Sequence, residues 1–394
     1  MRTEADVMDS MKEHFGGVSD PRVPGRTLYP LMEVLVMAFV GVLCGGDDWE
    51  GMAAIAEEHE PWLRRFLTLQ HGVPSHDTFG RVGSLVDPAV VTLRMVDWIK
   101  AFRETCGEEI IAIDGKALRR SGSQKKGLKM LYTVGAWATE NGLILGQQVV
   151  DDKSNEITAI PQLIELLEIK GCTITIDAAG CQKHIAAQIV EKEAHYVLAV
   201  KGNQPSLDEA LQQVFRAALA SDFAGGKHEC LVENETSHGR VESRATHILQ
   251  LPKDFVLKLE WAELNTMVVV IRHWKHVGEE DFQEHWEQRT FISNRPFHSQ
   301  ALRRAPRSHW SIENRLHWVL DVQLREDDHQ LRDRNGAANL AFLRRLTVSL
   351  LQQDTQTKVG KGIKQKDSEQ QPIPTTSANY SQTPSFSAFA LACF

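Results

Sequence analysis

Along residues 28 to 105 apolar side chains recur every three or four positions, in LYPLMEVLVMAFVGVL, GMAAIAEEHEPWLRRFL and VVTLRMVDWIKAFRE. Gly45-Gly46 and the PSHDT turn at 74–78 punctuate these runs. This period belongs to amphipathic helices, so the segment reads as a small helical domain. It suits a packing or dimerising module as well as a DNA-binding one, because none of its helices carries the arginine-rich face that reads a groove.

From Glu109 the pattern changes to short β-branched runs. IIAIDGK, LYTVGAWAT and LILGQQVVD predict three strands, the last two joined by the turn residues Glu140, Asn141 and Gly142. AIPQLIELLEI then reads as a helix, TITIDAAG as a strand, QKHIAAQIVEKEA as a helix and YVLAV as a fifth strand. The order β-β-β-α-β-α-β predicts an α/β fold whose sheet is mixed, antiparallel first and parallel later. Residues 202 to about 290 are less regular, with strand-like ESRATHILQL and TMVVVIRHW, and RTFISN returns the chain to the sheet. Helices are expected from about Leu302 to Gln352. The Ser-, Thr-, Pro- and Gln-rich text beyond reads as disorder. The division expected is a helical domain over 1–106, a catalytic domain over 107–352 with a β-rich insertion at about 202–290, and a disordered polar tail over 353–394.

Composition fits this reading, since 394 residues with 42% hydrophobic and 24% charged side chains suffice for two or three globular domains. The longest apolar stretch, starting at Leu31, contains Glu33 and is too short to span a bilayer, and the N-terminus lacks the build of a signal peptide. Cysteines 44, 106, 172, 181, 230 and 393 form neither a framework nor a CxxC pair, which points to a reducing, cytoplasmic setting. The net charge of −8 argues against nucleic acid, but residues 1 to 60 account for all of it. Residues 301 to 345 carry nine arginines against six acids, leaving room for a local basic patch.

Three carboxylates carry the candidate chemistry. Asp114 in IIAIDG and Asp177 in TITIDA each end an apolar strand, where ionisation is costly unless a cation compensates. For either alone a turn or helix cap is an equal reading, most of all for Asp177 before AAGC and a helix. Glu313 is the third. In SHWSIENRLHWVLDV, residues His309, Glu313, His317 and Asp321 share one helix face, beside an apolar stripe of Ile312, Leu316, Leu320 and Leu324. An oxygen-rich site of this kind suits Mg2+ or Mn2+ and phosphoryl transfer.

A zinc reading of His309 and His317 fits poorly, because the two lie two turns apart. Phosphate, carboxylate or packing partners suit them better, and Trp310 and Trp318 read as core. Lys116, Arg119, Arg120, Lys201, Asn203, Arg307 and Arg315 cluster in sequence around the acids, which favours a phosphate-backbone partner.

Taken as a set, IAIDGKALRRS, TIDAAGCQKHIAAQIVEKEAHYVLAVKGNQPSL, SHGRVESR and HWSIENRLHWVLDVQLRED with NLAFLRRL resemble the DDE transposases of bacterial insertion sequences, specifically the H-repeat-associated, ISAs-type group. The resemblance spans about residues 10 to 350. It implies an RNase H-like core with Asp114, Asp177 and Glu313 as acidic triad, two Mg2+ ions with Mn2+ as a substitute, and double-stranded DNA at transposon ends and target as partner. From their clustering around the acids, Lys116, Arg119, Lys201, Asn203, Arg307 and Arg315 are the expected nucleic-acid contacts, and a homodimer is an assembly that stays open. The long interval between Asp177 and Glu313 matches the position of the superfamily's β-rich insertion. Where the wider superfamily has Tyr, Arg and Lys around its glutamate, this chain has Pro306, His309 and Leu320, and its end after KVGKGIK is polar rather than basic. Two other activities stay open at this stage: a decayed protein that grips DNA ends without cutting, and a nuclease that cuts without joining.

Overall fold

The computed structural model describes residues 4–100, 109–150, 155–237, 240–276 and 285–353, so the tail expected to be disordered lies outside the described residues. The chain divides into two compact units. One comprises Met1–Glu104, Gly115–Asn155 and Glu313–Phe394, and the other Thr105–Asp114 and Glu156–Ile312.

The first unit opens with helices α1 (Glu4–Phe15), α2 (Leu31–Leu43), α3 (Trp49–Glu58), α4 (Glu60–Leu63), α5 (His76–Leu85) and α6 (Pro88–Lys100); the period over 28 to 105 predicts the last five and does not reach α1. Glu33, the one acid in the apolar run of α2, is buried, and its Oε1 accepts the backbone N–H groups of Thr68 and Leu69 at 3.0 and 3.1 Å. These bonds answer the desolvation cost of a carboxylate in the core. The C-terminal helix of the unit, Arg334–Gln353, is laid into the same core. Asn339 Nδ2 donates to the Gly83 and Val86 carbonyls, and Arg344 Nη2 to the Asp47 carbonyl. Arg345, 1% exposed, pairs with the buried Glu326 at 3.0 Å and donates to Thr133 Oγ1 at 3.1 Å. Two of the nine arginines counted toward a basic patch are therefore core residues, which corrects that expectation for Arg344 and Arg345.

Strand β1 (Ile110–Leu118) runs unbroken from the second unit into the first, where β2 (Leu131–Ala138) and β3 (Leu143–Val150) pair antiparallel. In the second unit follow α7 (Glu156–Leu166), β4 (Thr173–Ile176), α8 (Lys183–Glu191) and β5 (His195–Val200). The observed β-β-β-α-β-α-β order is the one the sequence predicts. Strands β1, β4 and β5 are parallel neighbours, with Ile110↔Thr173 to Ile113↔Ile176 in register. The order β3-β2-β1-β4-β5 with these directions is that of an RNase H-like sheet.

Helix α9 (Pro205–Ala220) and strands β6 (His228–Ser237), β7 (Arg240–Gln250), β8 (Thr266–His276) and β9 (His285–Ser293) form the insertion, and β9 returns antiparallel to β5 as RTFISN suggests. The sheet thereby reaches nine strands, in the order β3-β2-β1-β4-β5-β9-β8-β7-β6. Sequence periodicity misses α9 and β6. The helix buries a single row, Leu207, Leu211 and Phe215, and β6 is a polar edge strand paired on one side alone. Helix α10 (Gln300–Ser308) closes the unit by packing Ala301, Leu302 and Ala305 with Ile110, Val197 and Phe291. Among the described residues no helix is long and apolar enough to cross a membrane.

The insertion is pinned by a buried carboxylate. Glu242, on β7, takes hydrogen bonds from Arg240, from Arg244 at 2.5 Å and from Arg272 at 2.8 Å, while Arg272 also stacks over Trp274 at 4.8 Å. The Arg272 hydrogen bond, against the opposing effect of burial, holds the Glu242 carboxyl down at about 2, below its ordinary 4.5. Its stabilising contribution is thus complete above about pH 4.5 and fades as pH falls towards 2. Glu242→Gln removes the charge that three guanidiniums share, and chemical denaturation followed by tryptophan fluorescence is expected to show a loss of roughly 3 kcal/mol at neutral pH that shrinks on acidification.

Candidate active site

In the second unit the parallel register ends at Ile113↔Ile176 and Asp114 and Asp177 follow it; β4 ends at Ile176, as expected, whereas β1 runs on through Asp114 to Leu118 instead of ending there. Side chains alternate faces along a strand, which puts Asp114 on the face of Ile110 and Ala112 and Asp177 on that of Thr173 and Thr175. Thr175 is in register with Ala112, so the two carboxylates share a face. Neighbouring strands lie about 4.8 Å apart, close enough for the charges to interact strongly. Helix α10 covers this same face through Ile110, and His309 beyond its end shares a 3.1 Å hydrogen bond with Thr175 Oγ1.

The segment after β4 is a tight turn that Asp177 itself caps. Its Oδ1 accepts the N–H groups of Ala179 at 3.0 Å and Gly180 at 3.3 Å, so the cap reading and the candidate ligand reading apply to one carboxylate. Gly180 must be small, because a Cβ there would lie 2.3 Å from Ile176 Cγ2 and 3.1 Å from Ile160 Cδ1. The turn is braced from KGNQP: Asn203 Nδ2 donates to the Ala178 carbonyl and Gln204 Nε2 to the Cys181 carbonyl at 2.9 Å. A fourth acid, Glu156 at the start of α7, went unnoticed in the sequence. Burial and then the charge of Asp177 raise its carboxyl above the usual range, which marks the two as electrostatic neighbours. Its only sequence signal is an acid opening a helix directly after a strand, and such positions are commonly helix-dipole partners.

In the first unit, Glu313–His317 is a single π-helical turn between the short helix Trp310–Ile312, which α10 leads into, and the helix Trp318–Val322. Such turns widen a helix by one residue and recur at functional positions. Ile312, Leu316, Leu320 and Leu324 are all buried, as the apolar stripe requires. Glu313 stays half exposed, and its Oε2 lies 3.5 Å from Nδ1 of the buried His317, so a carboxylate is the partner that His317 takes. Asp321 continues the stripe and binds Lys116 Nζ at 2.6 Å. Burial raises the Asp321 carboxyl while Lys116 opposes the shift.

The candidate DNA contacts divide into two groups. Lys116 is 93% buried at the side chain and sits among Asp321, Asp327 and Glu326, so its place is a structural ion cluster; the phosphate-contact expectation for it is corrected. Arg315 donates to the Thr139 carbonyl and to Gln352 Oε1, both at 2.8 Å, and it too is spent internally. Asn203 braces the Asp177 turn. Arg119, Lys201 and Arg307 are exposed, with Arg119 beside Asp327 and Arg307 beside Glu235. The tryptophans also depart from expectation: Trp310 is 44% and Trp318 52% exposed, and Arg289 stacks over Trp310 at 4.4 Å. Aliphatic residues fill the helix's buried stripe and leave the indoles outside it.

Family models match most of the chain. Residues 12–99 match the DDE_Tnp_1-associated model, and residues 105–351 the Transposase DDE domain. The chain is 34% identical over 360 residues to putative transposase YncI of Escherichia coli O157:H7, covering 91% of each. It is 32% identical to the H repeat-associated putative transposase YhhI of Escherichia coli strain K12, covering 90% of this chain and 93% of that protein. Among solved structures, a piggyBac transposase synaptic complex with hairpin DNA aligns with 92% of this chain and 76% of its own, at 12% identity and a TM-score of 0.38.

The turn that carries Asp177 is open to a direct test. Gly180→Ala is expected to cost about 1–3 kcal/mol of stability through overpacking. It should also speed amide hydrogen exchange at Ala179 and position 180, and unchanged exchange there would remove Gly180 from its bracing role.

Proposed function

The chain belongs to the DDE transposase family and is a DNA transposase, and on that premise we propose that Asp114, Asp177 and Glu313 are its catalytic carboxylates. The observation that carries this reading is the β1–β4 register together with the hydrogen bond between His309 and Thr175. The first supports the reading because the two aspartates follow the last paired positions of adjacent strands. The second holds the helical run against their face of the sheet, and Glu313 follows His309 by four residues, about one turn.

Divalent metal use is a property of the family. The donor types fit such an ion, since Asp114, Asp177 and Glu313 each carry carboxylate oxygens of the kind a hard divalent metal takes. We assign two Mg2+ ions to these residues, with Mn2+ as substitute. Bound ions supply activation of the attacking oxygen and neutralisation of the leaving one. The protein's own part is positional. Asn203, Gln204 and the Asp177 cap hold the β4 turn, the pairing with His317 restricts the Glu313 side chain, and the buried stripe from Ile312 to Leu324 anchors the helix.

The reaction proposed is hydrolysis at the ends of an insertion sequence, followed by attack of the freed 3'-hydroxyl on a phosphodiester of target DNA, with no covalent enzyme intermediate. Arg119, Lys201 and Arg307 meet phosphates of these duplexes. Residues 1–106 act as the accessory helical domain, 107–352 as the catalytic domain with its insertion at about 202–290, and 353–394 as a polar tail. The protein works in the cytoplasm as a homodimer on paired ends.

The test uses duplexes taken from the DNA flanking the reading frame, with nicking and joining read separately. Asp114→Asn, Asp177→Asn and Glu313→Gln are each expected to lower Mg2+-dependent nicking about a thousandfold, the rate equivalent of several kcal/mol of charge stabilisation. Nicking that survives Asp114→Asn sinks the triad, and nicking without joining makes the protein a nuclease.

A further inference from the structure

The outer edge of the insertion carries a cluster of side chains that the carboxylate chemistry does not use. Strands β6 and β7 pair antiparallel, with Cys230 in register with His247. His228 precedes Cys230 by two residues, so the three side chains share one face of the sheet, two on the edge strand and one directly across from it. Their polar atoms meet there. His228 Nε2 and His247 Nδ1 share a hydrogen bond at 3.1 Å, and Cys230 Sγ lies 3.8 Å from His247 Nε2.

Both rings are held in place by aromatic neighbours. Phe223 stacks on His228 with ring centroids 3.5 Å apart and planes 6° from parallel, and Phe215 meets His247 edge to face at 5.4 Å. Phe223 reaches this position because it and Asp222, just after α9, take the left-handed backbone at φ 58 and 50, a conformation costly for residues with a side chain. Burial holds the His228 and His247 imidazoles below their ordinary 6.5, with Asp222 and Glu229 opposing the shift at His228. Each ring therefore keeps a lone pair at neutral pH, and two acids add negative charge beside one of them. Burial pushes the Cys230 thiol up from its ordinary 9.0, so it is protonated until an ion displaces the proton, as happens at a coordinating thiol.

We propose that His228, Cys230 and His247 form a metal site for a cation of the Zn2+ class, bound by His228 Nε2, His247 Nδ1 and Cys230 Sγ with water in the fourth position. The spacing of the rings carries this assignment. Two nitrogens bound to one Zn2+ at about 2.0–2.1 Å with a tetrahedral angle stand about 3.3 Å apart, and the hydrogen-bonded pair already stands at 3.1 Å, so the ion takes the place of the shared proton. Cys230 is exposed, and one change of χ1 well moves its sulfur by roughly 3 Å, the step that brings it from Nε2 of His247 to the nitrogen pair. Imidazole and thiolate select zinc-class ions, whereas Mg2+ prefers the oxygens of the carboxylates. An ion here clips β6 to β7 at the sheet edge, where β6 has a strand neighbour on one side alone. The proposal is independent of the assignment of Asp114, Asp177 and Glu313.

The test titrates Co2+ into the full-length protein, prepared free of metal under reducing conditions, with Mg2+ in excess to fill oxygen-rich sites. Co2+ held by sulfur gives a thiolate-to-metal band in the near ultraviolet, which is expected to saturate at a single ion per chain and to be bleached by Zn2+. Cys230→Ser, at an exposed position, is expected to abolish the band. His228→Gln and His247→Gln are each expected to weaken Zn2+ binding at least about tenfold, the least that losing a partner of a bound metal costs. Zinc-edge X-ray absorption of the parental protein, which needs no variant, should show sulfur and nitrogen ligands, and a shell of oxygen alone overturns the proposal. So does a band that survives Cys230→Ser, which assigns it to another cysteine. A Zn2+ affinity that neither histidine variant changes marks a lone thiol and overturns it as well.

Discussion

Two carboxylates that follow the last paired positions of neighbouring parallel strands are a constraint that the surrounding segments of the second unit meet. The register from Ile110↔Thr173 to Ile113↔Ile176 makes Asp114 and Asp177 the residues that follow the last paired positions of β1 and β4. Like charges at strand spacing repel, and the apolar strands behind them offer no water to relieve it. The local structure holds this geometry by committing backbone and amide groups to it, through the cap on Asp177 Oδ1, the small residue at Gly180 and the amides of Asn203 and Gln204. Glu156 adds a further negative charge in the same neighbourhood. Such an accumulation of acid is what a site for a hard divalent ion requires, since the ion's charge supplies the compensation that the protein withholds.

Several cations among the described residues are consumed in folding. Arg345 and Glu326 form a buried pair, Arg344 ties the last helix to the Asp47 carbonyl, and three arginines converge on Glu242. Removing one partner from a buried pair leaves a charge that nothing solvates, so these residues are held by stability rather than by any partner molecule. A count of arginines therefore overstates the surface available to DNA.

Much of the fold was legible from period and turn chemistry. The three-to-four-residue repeats of the N-terminal helices and the alternation of strands and helices from Glu109 to Val200 appear where the pattern places them. What escaped were elements with little apolar signal, the one-row helix Pro205–Ala220 and the polar edge strand His228–Ser237. The carboxylates were visible because an acid closing a β-branched run is chemically conspicuous. Lys116 and Arg315 were misread because a base next to an acid in sequence looks the same whether it meets a phosphate or a buried carboxylate. The indoles of Trp310 and Trp318 were misread because a helix stripe already filled by Ile312, Leu316 and Leu320 leaves large side chains beside it outside the core.

The sequence by itself determined the strand and helix order, the three acidic positions, the apolar stripe that orients Glu313 and the family, since these depend on local period, residue chemistry and motif spacing. Only the tertiary structure decided which polar groups answer which charges: that His317 turns to Glu313, that Asn203 braces the Asp177 turn and that Lys116 is buried among three acids. Those pairings join residues as far apart as Lys116 and Asp321, 205 positions along the chain. Their energies depend on distance and burial, which appear when the chain is folded and leave no periodic trace along it.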